Sequence, residues 1–120
     1  MKIDNINNLL ELFYQQYSNQ DKESIFLQSL KVPKNKYSWE EVYINIIKLS
    51  EEISKYIIKN DRCLLISENR PEWMISDLSI MLSEGTTVPA YTTYTERDYE
   101  YIIDDCTPAI IIVSDKTYNV

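Results

Sequence analysis

Cys63-Leu-Leu-Ile-Ser-Glu-Asn-Arg-Pro-Glu-Trp73 carries the fold of this chain. The apolar run from Cys63 ends at Ser67 and has polar flanks, as a strand covered on both faces does. A polar turn follows. Pro71 then opens a helix, where its missing N–H costs nothing. Glu72 opposes the positive helix end, and Trp73 is expected to fasten the helix to the core. The stretch is a strand feeding a helix across a tight corner. Ligand crevices of α/β proteins form at such corners, outside the carboxyl ends of the strands. On physical grounds alone the corner reads first as a structural joint, because without glycine it cannot bring backbone close to a phosphate.

Working downstream, the spacing of Trp73, Met74, Asp77, Leu78 and Met81 predicts a helix from Pro71 to Ser83. Gly85, the only glycine, suits a left-handed C-terminal cap. Thr86 to Tyr91 reads as a strand, with Pro89 arguing for a strand end or a sheet edge. Thr95-Glu-Arg-Asp98 caps a helix to about Asp105, and Ala109 to Val113 is a third apolar strand. The order β-α-β-α-β with short connections predicts an α/β fold. Its sheet is parallel, with right-handed crossovers and helices on both faces.

Upstream, Ile6, Leu9, Leu10, Phe13 and Tyr17 predict a helix over Asn5 to Tyr17. Ser24 to Leu30 reads as a strand, Val32 to Lys36 as a turn, and Tyr37 as the resumption of a small hairpin. Ser38-Trp-Glu-Glu41 is a capping box. The helix behind it is expected to reach about Ile58, with Val42, Ile46, Leu49, Ile53, Tyr56 and Ile57 as its buried stripe. The expected core holds Ile46, Leu49, Ile53, Leu64, Leu65, Ile66, Trp73, Leu78, Met81, Val88, Ile102, Ile111 and Val113.

Composition narrows the function classes. The 120 residues are about the size of one ordinary domain and have a globular composition, 44% hydrophobic. The net charge of −7 points away from nucleic acid, whose phosphates need clustered Lys and Arg. The one dense basic patch, Lys31, Lys34 and Lys36, reads as a solvated hairpin tip. No histidine is present, so Ser-His and Cys-His nucleophile systems are excluded, and a single glycine excludes the glycine-rich phosphate loops. Cys63 and Cys106 form no CxxC and read as buried structural thiols. No signal-peptide core follows Met1, and no apolar run approaches the ~20 residues of a membrane span. A cytoplasmic protein is expected, with peripheral contact to a membrane left open.

Two further motifs have local explanations. Asp104-Asp105 could hold magnesium in a receiver-type site, but the pair follows a helix and precedes a strand, the wrong edge for gathered ligands. Tyr91-Thr-Thr-Tyr-Thr95 is a polar aromatic corner after a strand, read as a turn with Thr95 as N-cap or as a ligand-facing loop.

Taken together, Asp61-Arg-Cys-Leu-Leu-Ile-Ser-Glu-Asn-Arg-Pro-Glu-Trp73, Gly85-Thr-Thr-Val-Pro-Ala-Tyr-Thr-Thr93 and Ala109-Ile-Ile-Ile-Val-Ser-Asp115 resemble one family in order and spacing. It is the AMP-forming acyl-CoA synthetases, with the long-chain fatty-acid–CoA ligases the most similar branch. Tyr37-Ser-Trp-Glu-Glu-Val42 resembles the family's opening strand and helix, so the resemblance covers roughly residues 5 to 116.

The resemblance implies an enzyme that joins a fatty acid to ATP as an acyl-adenylate and then passes the acyl group to coenzyme A. ATP, coenzyme A and magnesium are implied for the full-length enzyme and none for this stretch. The family's phosphate-binding loop, adenine-binding motifs and catalytic lysine lie downstream of the residues present. Residues 1–120 are therefore expected to be an N-terminal part of an AMP-binding domain without catalytic residues, inactive alone, with uncovered apolar surface that invites association. The resemblance also puts Tyr91, Thr92 and Thr93 near coenzyme A. Where related acetate-activating enzymes carry two glycines, Thr92 and Thr93 stand here. Two rivals remain: a stand-alone flavodoxin-like or receiver-like binding module, and a non-catalytic remnant.

Overall fold

A computed structural model describes residues 8–115. Ile6, and with it the predicted start of the first helix, lies outside the described residues. α1 (Leu9–Asn19) begins at Asn8, whose Oδ1 accepts from the Glu11 backbone N–H at 2.9 Å. β1 (Ile25–Gln28) and β2 (Lys36–Ser38) form the small antiparallel hairpin.

α2 (Trp39–Ile53) starts at the predicted capping box. Ser38 Oγ accepts from the Glu41 N–H at 3.1 Å, and the Glu41 carboxylate accepts from the Ser38 N–H at 3.0 Å. The two ends of the motif thus satisfy each other's orphan groups. The helix stops at Ile53, five residues before the expected end, and Tyr56 is exposed. Ile57 stays buried from the turn beyond, so an apolar residue in helical register marked the core but not the helix.

β3 (Arg62–Ile66), α3 (Pro71–Leu82), β4 (Thr86–Ala90), α4 (Glu96–Cys106) and β5 (Ile110–Val113) give the predicted β-α-β-α-β order. The sheet is parallel throughout, with strand order β4-β3-β5. β3 therefore lies at the centre, and β4 is an edge strand that tolerates Pro89. Alternation along β3 separates two layers. Cys63 packs with Ile53, Ile57 and Ile80 on the α2–α3 side. Leu64 and Ile66 pack with Ala90, Val88, Tyr99, Ile102 and Ile103 on the α4 side. Helices cover both faces, as the apolar run of β3 requires. Each fully buried aliphatic here, such as Leu64, Leu78 or Ile80, contributes about 1.5–3 kcal/mol.

A third cluster joins α1 and the hairpin to α2 and α3 around Phe13, Val42, Ile46, Ile75 and Leu78. It is rich in stacked rings: Phe26 on Trp39 at 3.9 Å and Tyr17 on Tyr43 at 4.5 Å. The Tyr17 hydroxyl donates to Glu40 at 2.7 Å, and that bond to a carboxylate pushes its phenol up to about 12.

Three further expectations are corrected. Ile111 is 47% exposed: it faces the α4 side from the β5 edge, where no described element covers it. Trp73 is half-buried and belongs to none of the three core clusters. Gly85 has no positive φ, and the left-handed residue is Glu84 at φ 64°. Gly85 is needed for space, because a Cβ there would meet Ile57 Cδ1 at 3.0 Å, Cys63 Sγ at 3.1 Å and Ile80 Cγ2 at 3.1 Å.

Cys63 is fully buried, and burial, with the nearby Asp61 charge, pushes its thiol up. Reactivity follows the thiolate and its access. In a chain carrying Cys106→Ser, Cys63 is expected to stay unreactive toward a disulfide reagent until denaturant is added. Rapid labelling of the folded chain would contradict its place in the core.

Candidate functional site

The carboxyl ends of β3, β4 and β5 meet the start of α3. The first crossover runs from β3 to β4 and the second runs back from β4, past β3, to β5, so the connections that leave the neighbouring strands β3 and β4 run in opposite directions across the sheet. That is where open α/β sheets form their crevices. Two open clefts lie there.

The first cleft, about 350 Å³, is lined by Ser67, Asn69, Trp73, Pro89, Ala90, Tyr91 and Tyr94. The second, about 230 Å³, is lined by Leu65, Ser67, Arg70, Glu72, Trp73, Ser76, Ile112, Val113, Ser114 and Asp115. Ser67 and Trp73 line both. Trp73 is therefore a cleft wall and not the core anchor expected of it, because α3 begins above the strand ends and its first turn overhangs the crevice. In apolar character Trp73 is indistinguishable from a core residue. Its position one turn after a strand-to-helix corner was the available signal.

The second cleft is dominated by one cation. Arg70 Nε donates to Glu72 Oε1 at 2.5 Å, and Nη1 donates to Glu68 at 3.1 Å and to Asp115 at 3.0 Å. Ser114 Oγ donates to Glu68 Oε2 at 2.7 Å. Arg70 thus ties the exit of β3, the start of α3 and the exit of β5 together. Its own pKa is raised, by the hydrogen bond to Glu72 first. Burial pushes the Glu68 and Glu72 carboxyls up, but their hydrogen bonds and the guanidinium outweigh it, and both end below the ordinary range. Three carboxylates around one guanidinium leave net negative charge, so the corner does not attract phosphate.

The Tyr91-Thr92-Thr93 corner stands at the exit of β4. Tyr91 is 69% exposed and lines the first cleft, while Thr92 and Thr93 do not line it. The corner is held by tyrosines. Tyr99 donates from its hydroxyl to the Tyr91 carbonyl at 2.6 Å, and Tyr94 lies edge-on to Tyr91 at 5.4 Å. Thr95 caps α4 as expected, in a full capping box with Asp98. Asp104 and Asp105 are exposed in the last turn of α4, at the opposite edge of the sheet, from which β5 starts. Among the described residues no group of three or more His, Cys, Asp or Glu is gathered for a metal.

A family model described as "AMP-binding enzyme" matches residues 13–120. The chain belongs to the AMP-binding enzyme family. The long-chain-fatty-acid–CoA ligase ACSBG2 of Gallus gallus is 26% identical over 84 residues, which are 68% of this chain and 11% of that protein. The anthranilate CoA ligase AuaEII, solved with anthranoyl-AMP, superimposes with a TM-score of 0.83 at 18% identity, covering 99% of this chain and 23% of that one. The N-terminal subdomain of Klebsiella oxytoca NpsA, solved with 3-hydroxybenzoyl-AMSN, superimposes with a TM-score of 0.76 at 19% identity, covering 92% of this chain and 27% of that one. The family is that of the sequence resemblance, and the fold is that of part of an adenylate-forming domain. The chain spans about a tenth of the curated relative and about a quarter of these solved chains. A stand-alone signalling module is not favoured.

Proposed function

We propose that residues 1–120 form the N-terminal part of a fatty-acid–CoA ligase. The whole enzyme would join a fatty acid to ATP as an acyl-adenylate, releasing pyrophosphate, and then pass the acyl group to the thiol of coenzyme A, releasing AMP. The observation that carries this is the family match over residues 13–120. The fatty-acid branch rests on the likeness to the chicken ligase. Magnesium would accompany ATP. No described helix is long and apolar enough to cross a membrane.

In this reading the stretch is scaffold and cleft wall. Its corner keeps a neutralised arginine and aromatic walls, which suit an uncharged ring or chain better than phosphate. Tyr91, Thr92 and Thr93 would approach coenzyme A at the exit of β4. The 120-residue chain alone is expected to give no ATP–pyrophosphate exchange, and a product extended past Val120 is expected to give exchange with fatty acids. Exchange stimulated by aromatic acids alone would move the protein to another branch. Thr92→Ala with Thr93→Ala in the extended product is expected to raise KM for coenzyme A several-fold without changing pyrophosphate exchange. An unchanged KM would remove these residues from the coenzyme A site.

A further inference from the structure

Residues 24–39 contain three lysines, and all 19 acidic residues of the chain lie outside them. Lys31, Lys34 and Lys36 are exposed at the hairpin tip. Two aliphatic side chains stand among them: Leu30 is 98% exposed and Val32 57%. A single exposed leucine is ordinary on a protein surface; this turn differs in that two aliphatic side chains and three lysines stand together on a segment without a carboxylate.

The turn is built to hold that display. Ser29 Oγ accepts from the Val32 N–H at 3.1 Å, and the Asn35 N–H donates to the Val32 carbonyl at 2.8 Å. The Gln28 side chain donates to the Pro33 carbonyl at 3.1 Å, and Asn35 Nδ2 donates to Glu72 at 3.2 Å, tying the turn to α3. The aliphatic side chains are thus presented by a hydrogen-bonded loop.

We propose that the hairpin tip, residues 30–36, docks on anionic lipid bilayers, with Leu30 and Val32 entering the interface and Lys31, Lys34 and Lys36 at the headgroup phosphates. Aliphatic side chains framed by lysine match the two forces that hold proteins to such surfaces. A negative surface attracts this segment, which carries three lysines and no carboxylate, and repels the net-negative remainder of the chain. A bilayer is favoured over a protein partner because residues 30–36 hold no aromatic residue and no arginine, the anchors that dominate protein interfaces, and are rich in lysine, which such interfaces avoid. The proposal goes beyond the ligase reading and does not depend on which acid is activated.

Flotation with vesicles tests it, since free or aggregated chain does not float. The chain is expected to float with vesicles of phosphatidylcholine containing phosphatidylserine and not with phosphatidylcholine alone, and to be released by salt. Each lysine near such a surface is worth roughly fivefold in partitioning, so Lys31→Gln with Lys34→Gln and Lys36→Gln should lose about a hundredfold. Leu30→Ser with Val32→Ser should lose at least about tenfold with the charges intact. Both sets replace exposed side chains, and circular dichroism checks that the fold is kept. Absence of flotation, equal flotation with both vesicle types, or flotation unchanged in the lysine variant each overturns the proposal. Retention on polyglutamate without flotation overturns it in favour of an acidic polypeptide.

Discussion

Gly85→Val is expected to destabilise the chain by about 3 kcal/mol, the upper end of what overpacking a core costs. A Cβ at this position already meets three side-chain atoms at 3.0–3.1 Å. Two of their owners, Cys63 and Ile80, are fully buried, and Ile57 is nearly so. The γ-methyls of valine reach further into the same space, where α2, α3 and β3 come together. Gly85→Ala should fall between wild type and valine, since only its Cβ must be accommodated. Glu84→Gly should go the other way. Glu84 holds φ 64° with a side chain, a conformation that costs about 1–2 kcal/mol for non-glycine residues. Its ion pair with Lys59 spans 3.9 Å between exposed groups and is worth little. Urea unfolding followed by circular dichroism measures all three variants. Stability of Gly85→Val within about 0.5 kcal/mol of wild type, the usual range of a harmless surface change, would show that the crowding is not there.

The same pair of residues marks a limit of sequence reading. A lone glycine after a helix predicts a left-handed cap, and here the cap is one residue earlier. The chain needs two things at this place, a reversal of the backbone and an empty volume, and one glycine can serve only one. The volume was set by Ile57, Cys63 and Ile80, which meet only after folding, so nothing local reported it. The parallel sheet, by contrast, was legible because its cause is local. Cys63 to Ile66 is apolar without alternation, and Pro71 and the Thr95–Asp98 box punctuate the two crossover helices at their first residues.

Ile111 and Trp73 failed for a related reason. Both are large and apolar at positions of correct register, so their sequence signal is that of core residues. Their exposure depends on neighbours. Ile111 belongs to an edge strand, and Trp73 overhangs the strand ends. The candidate site was legible as a location, through the strand-to-helix corner, but not as a constellation. Glu68, Arg70 and Glu72 could be read as turn and helix-start residues. That Asp115 and Ser114 close on them from 45 residues away required the strand order β4-β3-β5. The stacked rings around Phe13 were equally silent, because Phe13 comes from α1, Phe26 from β1, and Trp39 and Tyr43 from α2.

Arg70→Met is expected to cost about 2–3 kcal/mol near neutral pH. Breaking a fully buried pair costs about 3–5 kcal/mol by stranding the partner charge. The Arg70, Glu68 and Glu72 side chains keep roughly 29–32% of their exposure, which reduces that loss. Asp115, 87% exposed, adds little. The pH dependence identifies the cause. In wild type the Glu68 and Glu72 carboxyls are held below their ordinary values, so their contribution is complete above the unfolded carboxylate range and is lost as pH falls through the lower folded values. Wild type should therefore weaken on acidification. Without the guanidinium, burial acts on Glu72 with less opposition and drives its folded value up. The variant should then gain stability, or lose much less, as pH is lowered from neutral toward the carboxylate range, and the two curves should converge in acid. Arg70→Lys should recover only part of the difference, because one ammonium cannot present the planar fork that serves Glu68, Glu72 and Asp115 at once. Parallel stability curves for wild type and Arg70→Met across that pH range would mean that methionine had merely repacked the joint. The corner would then be held by the apolar contacts of β3 and α3, with no electrostatic share.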